Sequence, residues 1–125
     1  SATRMQTSER MLLASRQLGR FRTLRRARAK AASEMPNAGS SIVEPWEREL
    51  LRLIQNKRSQ AAVKAATGYL KQNPELSKNP LFIYLQAEAL FGSGQKDEAR
   101  RLAKSIKGHP LYGVVVNMLL EAIEE

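Results

Sequence analysis

The chain has 125 residues, a 42% hydrophobic fraction and a net charge of +9, which suits one domain with a modest core. It contains no cysteine, so disulfides and thiolate metal sites are excluded, and no apolar run approaches the ~18 residues of a membrane span. The charge is unevenly placed: residues 1–40 carry nine basic side chains against Glu9 and Glu34, a net of +7, while residues 41–125 carry twelve basic against ten acidic, a net of +2.

Residues 1–7 are polar, and the chain opens on Ser1 instead of Met, as a processed or trimmed chain would. Ser8 is placed to cap a helix over about 9–34, in a segment rich in Ala, Arg, Leu and Met. Its apolar residues Met11, Leu18, Phe21 and Leu24 form a narrow stripe, expected to anchor in a partner's groove instead of a bundle core. Arg16, Arg20, Arg22, Arg25, Arg26, Arg28 and Lys30 cover the remaining faces. Such an arm orders when something neutralises it: nucleic-acid phosphate, an acidic protein surface or anionic lipid. Arg dominates Lys there, and Arg makes the bidentate phosphate contacts that Lys cannot.

Residues 36–41 read as a linker in which Pro36, Asn37 and Gly39 stop the first helix. Ser41 and Glu44 have the spacing of a capping box, and Pro45 fits the first turn of a second helix running to about Gln55. A polar turn at 56–59 leads to a third helix over 59–72, ended by Asn73-Pro74. After a connection at 75–79, Asn79 and Pro80 open a fourth helix, to about Phe91. That helix is apolar nearly all round and is expected at the centre of the fold. Turn residues Gly92 to Gln95 precede a fifth helix over 96–107 with Gly108 as its stop, and a sixth covers about 111–124. The expected organisation is an arm at 1–35, a linker at 36–41 and a helical domain at 42–125.

Trp46, Leu50, Leu53, Ala62, Ala66, Tyr69 and Pro74 are followed, 37 residues on at the alanines, by Ile83, Ala87, Leu90, Ala99, Ala103, Ile106 and Pro110. This pattern, with the run Gly94 to Ala99, resembles a tetratricopeptide repeat array of two units and a closing helix. The resemblance implies an all-α fold: antiparallel helical hairpins, about five helices, preceded here by the long basic helix. It also implies protein binding on a concave face. The places where a chaperone-tail carboxylate clamp would sit fall on Glu47, Leu51, Leu85, Val115 and Leu119, none of which can grip a carboxylate.

No convergent set of reactive groups stands out, so no enzyme activity, cofactor, metal or small-molecule substrate is expected. His109, the lone histidine, lies in a turn between Gly108 and Pro110. Gly92 to Lys96 lacks the spacing of a phosphate loop and follows a helix. Glu44, Glu47 and Glu49 suit the dipole at a helix start. Glu121, Glu124 and Glu125 suit a solvated end or a surface for a basic partner.

The expectation is a non-catalytic scaffold subunit of a large assembly. Its repeat domain docks on protein neighbours, and its arm on RNA or another acidic surface. A ribosomal or other organellar ribonucleoprotein is favoured, because an Arg-rich, Ser/Ala-rich, acid-poor arm resembles an organelle transit segment; the location is then mitochondrial, with the cytoplasm as the other choice. The alternative is a peptide-binding adaptor or accessory subunit of a membrane-associated complex, its N-terminal helix lying in a protein groove.

Overall fold

Two turns of one kind, 37 residues apart, set the architecture of this computed structural model, which describes residues 2–34 and 43–125 and, within them, side chains from residue 11 onward. The helices are α1 (Ala2–Glu34), α2 (Pro45–Gln55), α3 (Ser59–Gln72), α4 (Pro80–Gly92), α5 (Lys96–Ser105) and α6 (Gly113–Glu124), with a 3-10 turn at Pro74–Lys78. The described residues form helices and no strand. The expected linker at 36–41, including Ser41 of the capping box, lies outside them.

At the end of α2, the Arg58 N–H donates to the Leu53 carbonyl (2.8 Å) and the Lys57 N–H to that of Ile54 (3.1 Å). At the end of α4, the Gln95 N–H donates to Leu90 (2.9 Å) and the Gly94 N–H to Phe91 (3.1 Å). Both are Schellman closures, which need a left-handed residue just past the helix. Gly94 supplies it at φ 88°, and Lys57 adopts it at φ 62° despite its side chain. Each closure satisfies orphan carbonyls and reverses the chain into the next helix, giving the hairpins α2–α3 and α4–α5. The two hairpins meet closely at Gly92, where an added Cβ would come within 2.9 Å of the Ser59 Cβ.

The remaining ends are set locally. The Asn79 side-chain oxygen accepts from the N–H groups of Leu81 (3.0 Å) and Phe82 (3.2 Å), capping α4 as its sequence predicts. His109 stays a turn residue, but its Nδ1 accepts from the N–H groups of Leu111 and Tyr112, both at 3.1 Å, and so builds the lead into α6. α5 stops at Ser105, ahead of the expected 107, and α6 starts at Gly113 instead of 111. α1 starts at Ala2, which puts Ser8 inside the helix instead of at its cap.

α4 is the centre. From Leu81 to Leu90 every residue except Gln86 is buried, and α4 packs against α2, α3, α5 and α6. Consecutive helices from α2 to α6 touch, and α2, α4 and α6 also meet in that order. Ala62, Ala66, Ala99 and Ala103 are wholly buried, which lets the helices approach closely; Leu50 and Ala87 are equally buried, and Trp46, Leu53 and Leu90 nearly so. The Trp46 and Phe82 rings meet edge to face, centroids 5.4 Å apart. Tyr69 is half-buried and donates its hydroxyl to the Glu49 carboxylate.

α1 is part of this core, which corrects the division into arm and domain. Phe21, Leu24 and Ala27 belong to the same apolar cluster as Trp46, Tyr84 and Leu119. The stripe that docks α1 runs Arg20, Phe21, Leu24, Ala27, Arg28 and Ala31, one helical face at the 3.6-residue period. It is wider than the expected one because two arginines are members.

Candidate nucleic-acid interface

α1 has an inner and an outer charged face, and the division falls within the set of basic residues expected to act together. On the inner face Arg20 is 4% exposed. Its guanidinium is bidentate on Glu88, with Nε to Oε2 at 2.5 Å and Nη2 to Oε1 at 3.0 Å. The Tyr84 hydroxyl donates to the same Oε2 at 2.5 Å, and the Phe91 ring lies 5.8 Å from the guanidinium carbon. Burial opposes the Arg20 charge, but the hydrogen bond and charge of Glu88, with Tyr84, outweigh it and leave the pKa raised. Burial first, then the charge and hydrogen bond of Glu88, push the Tyr84 hydroxyl well above its ordinary value, so it remains a neutral donor.

Arg28 Nε donates to Glu47 at 2.8 Å, and that hydrogen bond raises the Arg28 pKa. Arg16 pairs with Glu125 at the end of α6. The inner face thus reaches one carboxylate on each of α2, α4 and α6's end.

α1 packs against α6, and two side-chain ties also join it to α2 and the turn that follows. The Lys57 amine donates to the Gln17 side chain (2.8 Å), and Arg28 meets Glu47.

Arg16, Arg20 and Arg28 all form intramolecular pairs, but Arg16 stays exposed and Arg28 half-exposed, and only Arg20 is removed from solvent, which corrects its expected place in a nucleic-acid surface. Arg22, Arg25, Arg26 and Lys30 are exposed. Lys30 has a loose pair with Glu34 at 3.9 Å, while Arg22, Arg25 and Arg26 form no ion pair among the described residues. The expected partner-groove anchors also divide. Phe21 and Leu24 are 1% and 3% exposed and fill the chain's own core, whereas Met11 and Leu18 remain 69% and 52% exposed, beside exposed Leu12 and Leu13.

The pairing acids escaped sequence reasoning, though one carried a signal. Glu88 is the one charged residue in α4, and a charge in an apolar helix needs a buried partner. Glu47 carried none, because a carboxylate in a first helical turn is already favoured there. Among the described residues no group of three or more His, Cys, Asp or Glu is placed to hold a metal, and no helix is long and apolar enough to cross a membrane.

No family model, curated protein or solved structure matches this chain.

Proposed function

We propose that this protein is a non-catalytic interaction subunit of a larger assembly, and that the outer face of α1 binds the phosphate backbone of RNA. The observation that carries this reading is the row of exposed cations Arg22, Arg25, Arg26 and Lys30 on a helix whose opposite face is anchored in the core. A docked helix presents those charges without the entropy cost of ordering a tail. Displacing condensed counterions then supplies affinity that needs no base reading. A tetratricopeptide-like organisation of α2 to α6, supported by the paired Schellman closures and the buried alanines at a 37-residue step, leaves the remaining surface for protein neighbours. A ribosomal or other organellar ribonucleoprotein, in a mitochondrion, is the setting this charge distribution suits.

The test is a salt series with a structured RNA, comparing the intact chain with the variant R22Q/R25Q/R26Q/K30Q. All four side chains are exposed, so circular dichroism and thermal unfolding of the variant should match the parent. Affinity should fall about ten-fold or more at low salt, and the salt slope should shrink by roughly 0.7–0.9 for each phosphate that is no longer neutralised. Equal binding by both proteins refutes the reading.

A second reading has its own observation. Met11, Leu12, Leu13 and Leu18 are more than half exposed on the N-terminal half of α1. They fit a protein groove, as in an adaptor or an accessory subunit of a membrane-associated complex. L12S/L18S would abolish such docking and leave RNA binding intact.

A further inference from the structure

Three helices of the body end together against α1. Lys57, in the turn after α2, donates its amine to the Gln17 side chain. The Phe91 ring, next to the last residue of α4, lies 5.8 Å from the Arg20 guanidinium carbon. Glu125, just past α6, pairs with Arg16. The body therefore stops level with residues 16–20 of α1, and residues 2–15 carry that helix about 21 Å further at 1.5 Å per residue. From residue 11 to residue 19 no side chain of α1 is buried. The stripe that docks α1 nevertheless continues into this free end. Leu13, Gln17, Arg20, Leu24, Ala27 and Ala31 alternate steps of four and three, the spacing that a neighbouring helix fills, as α6 does along the docked part. Leu13 is 53% exposed and stands one turn from Gln17.

Through Lys57, Gln17 also touches a cleft between the two hairpins, lined by Lys57 to Ala61 and by Gly92 and Ser93. The cleft has two cations and no carboxylate. Arg58 is exposed and forms no ion pair among the described residues, and Lys57 bonds a neutral side chain. The acids at the end of α6 are already engaged, Glu125 with Arg16 and Glu124 with Arg100.

Resting on the second reading, in which exposed apolar side chains of α1 meet a protein, we propose that the free end of α1 and this cleft form one ledge that binds an acidic amphipathic helix of a partner protein. The partner's apolar face packs on Leu13, continuing the contact that α6 makes with α1, and its carboxylates meet Lys57 and Arg58. The continued stripe and the charge of the cleft select this occupant. RNA would take the cations and leave Leu13 in water. A membrane surface takes a helix whose apolar side chains share one face. Met11, Leu12 and Leu13 instead point about 100° apart around α1, and only Leu13 is in line with the docking stripe. A second copy would bring a net charge of +9 to a cationic cleft.

The experiment uses the full chain with L13S, K57Q/R58Q, L12S/L18S and K64Q/K71Q, the last removing two exposed cations of α3 as a charge control. The probe is an amphipathic peptide of about 20 residues, long enough to form a helix, with leucines spaced by three and four and glutamates elsewhere. A counterpart carries lysines in place of the glutamates. Binding is measured across a salt series. The parent and K64Q/K71Q should bind the glutamate peptide alike. L13S should bind about ten-fold more weakly with its salt dependence kept, and K57Q/R58Q should bind more weakly with a flatter salt dependence. If K64Q/K71Q loses as much as K57Q/R58Q, or the lysine peptide binds as well, the ledge is refuted. Self-association of the parent that L13S abolishes would make the occupant a second copy, and binding of phosphatidylserine vesicles in place of the peptide would make it a membrane; either overturns the proposal. If L12S/L18S loses the peptide while L13S and K57Q/R58Q keep it, the ledge falls and the second reading stands. Circular dichroism of each variant separates loss of binding from loss of fold.

Discussion

Arg20 and Glu88, 68 residues apart in sequence, form a bidentate pair inside the core, with the Tyr84 hydroxyl on the same carboxylate. The pair joins α1 to the central helix and fixes which face of α1 is left for solvent. Removing one member leaves a buried charge, which costs about 3–5 kcal/mol, whereas exchanging both for apolar side chains of similar size is close to neutral. Arg20→Gln and Glu88→Leu should each lower the denaturant midpoint strongly, and the double variant R20M/E88L should recover most of the loss.

Phe21→Ala should cost about 3–5 kcal/mol, since a fully buried ring leaves a cavity, while Leu18→Ala should stay within roughly 0.5 kcal/mol. Urea unfolding of the two variants measures this directly. Equal effects would show that α1 is not docked through the face bearing Phe21.

Stability should also fall at alkaline pH. The Tyr84 pKa is raised in the folded state, so folding favours the neutral phenol. Its contribution is fully present below the unfolded tyrosine value of about 10, and is lost as pH rises through that value toward the folded one. The thermal midpoint should be flat on Tyr84's account between about pH 7 and 9 and then drop. Tyr84→Phe should be less stable at neutral pH, by about 1–2 kcal/mol for the lost hydrogen bond, and should show a shallower alkaline fall.

The two hairpin closures make opposite predictions. Lys57 holds a left-handed conformation that glycine adopts freely, so Lys57→Gly should stabilise by up to about 1 kcal/mol. Gly94→Ala, at the same place in the second hairpin, should destabilise by about 1 kcal/mol. Thermal unfolding of the two variants checks the pair. Gly92→Ala should also destabilise, because its methyl meets Ser59.

The hairpins were legible in the sequence because local rules set them. Asn79-Pro80 caps α4, Gly94 closes it, and the alanines at Ala62, Ala66, Ala99 and Ala103 mark close helix approach. The docking of α1 was not legible, because its buried face contains Arg20 and Arg28 and so does not look apolar. With those arginines counted as solvent-facing, the remaining stripe of Met11, Leu18, Phe21 and Leu24 mixes residues from two faces. Pairing across 68 residues is a tertiary fact, and the isolated charge of Glu88 in α4 was its one local trace. Of the candidate binding residues, the sequence supplied the positions but could not sort inward from outward.

The most direct test compares Arg20→Gln with Arg22→Gln, two positions apart on one helix, for thermal midpoint and for RNA affinity at low salt. Arg20→Gln should lower the midpoint by about 10 °C or more, through the lost buried pair. Arg22→Gln should leave the midpoint unchanged while weakening RNA binding and reducing its salt slope by about one. If both variants keep the parent midpoint and weaken RNA binding equally, α1 is a solvated arm with all its arginines outward, and the anchored-helix account is wrong.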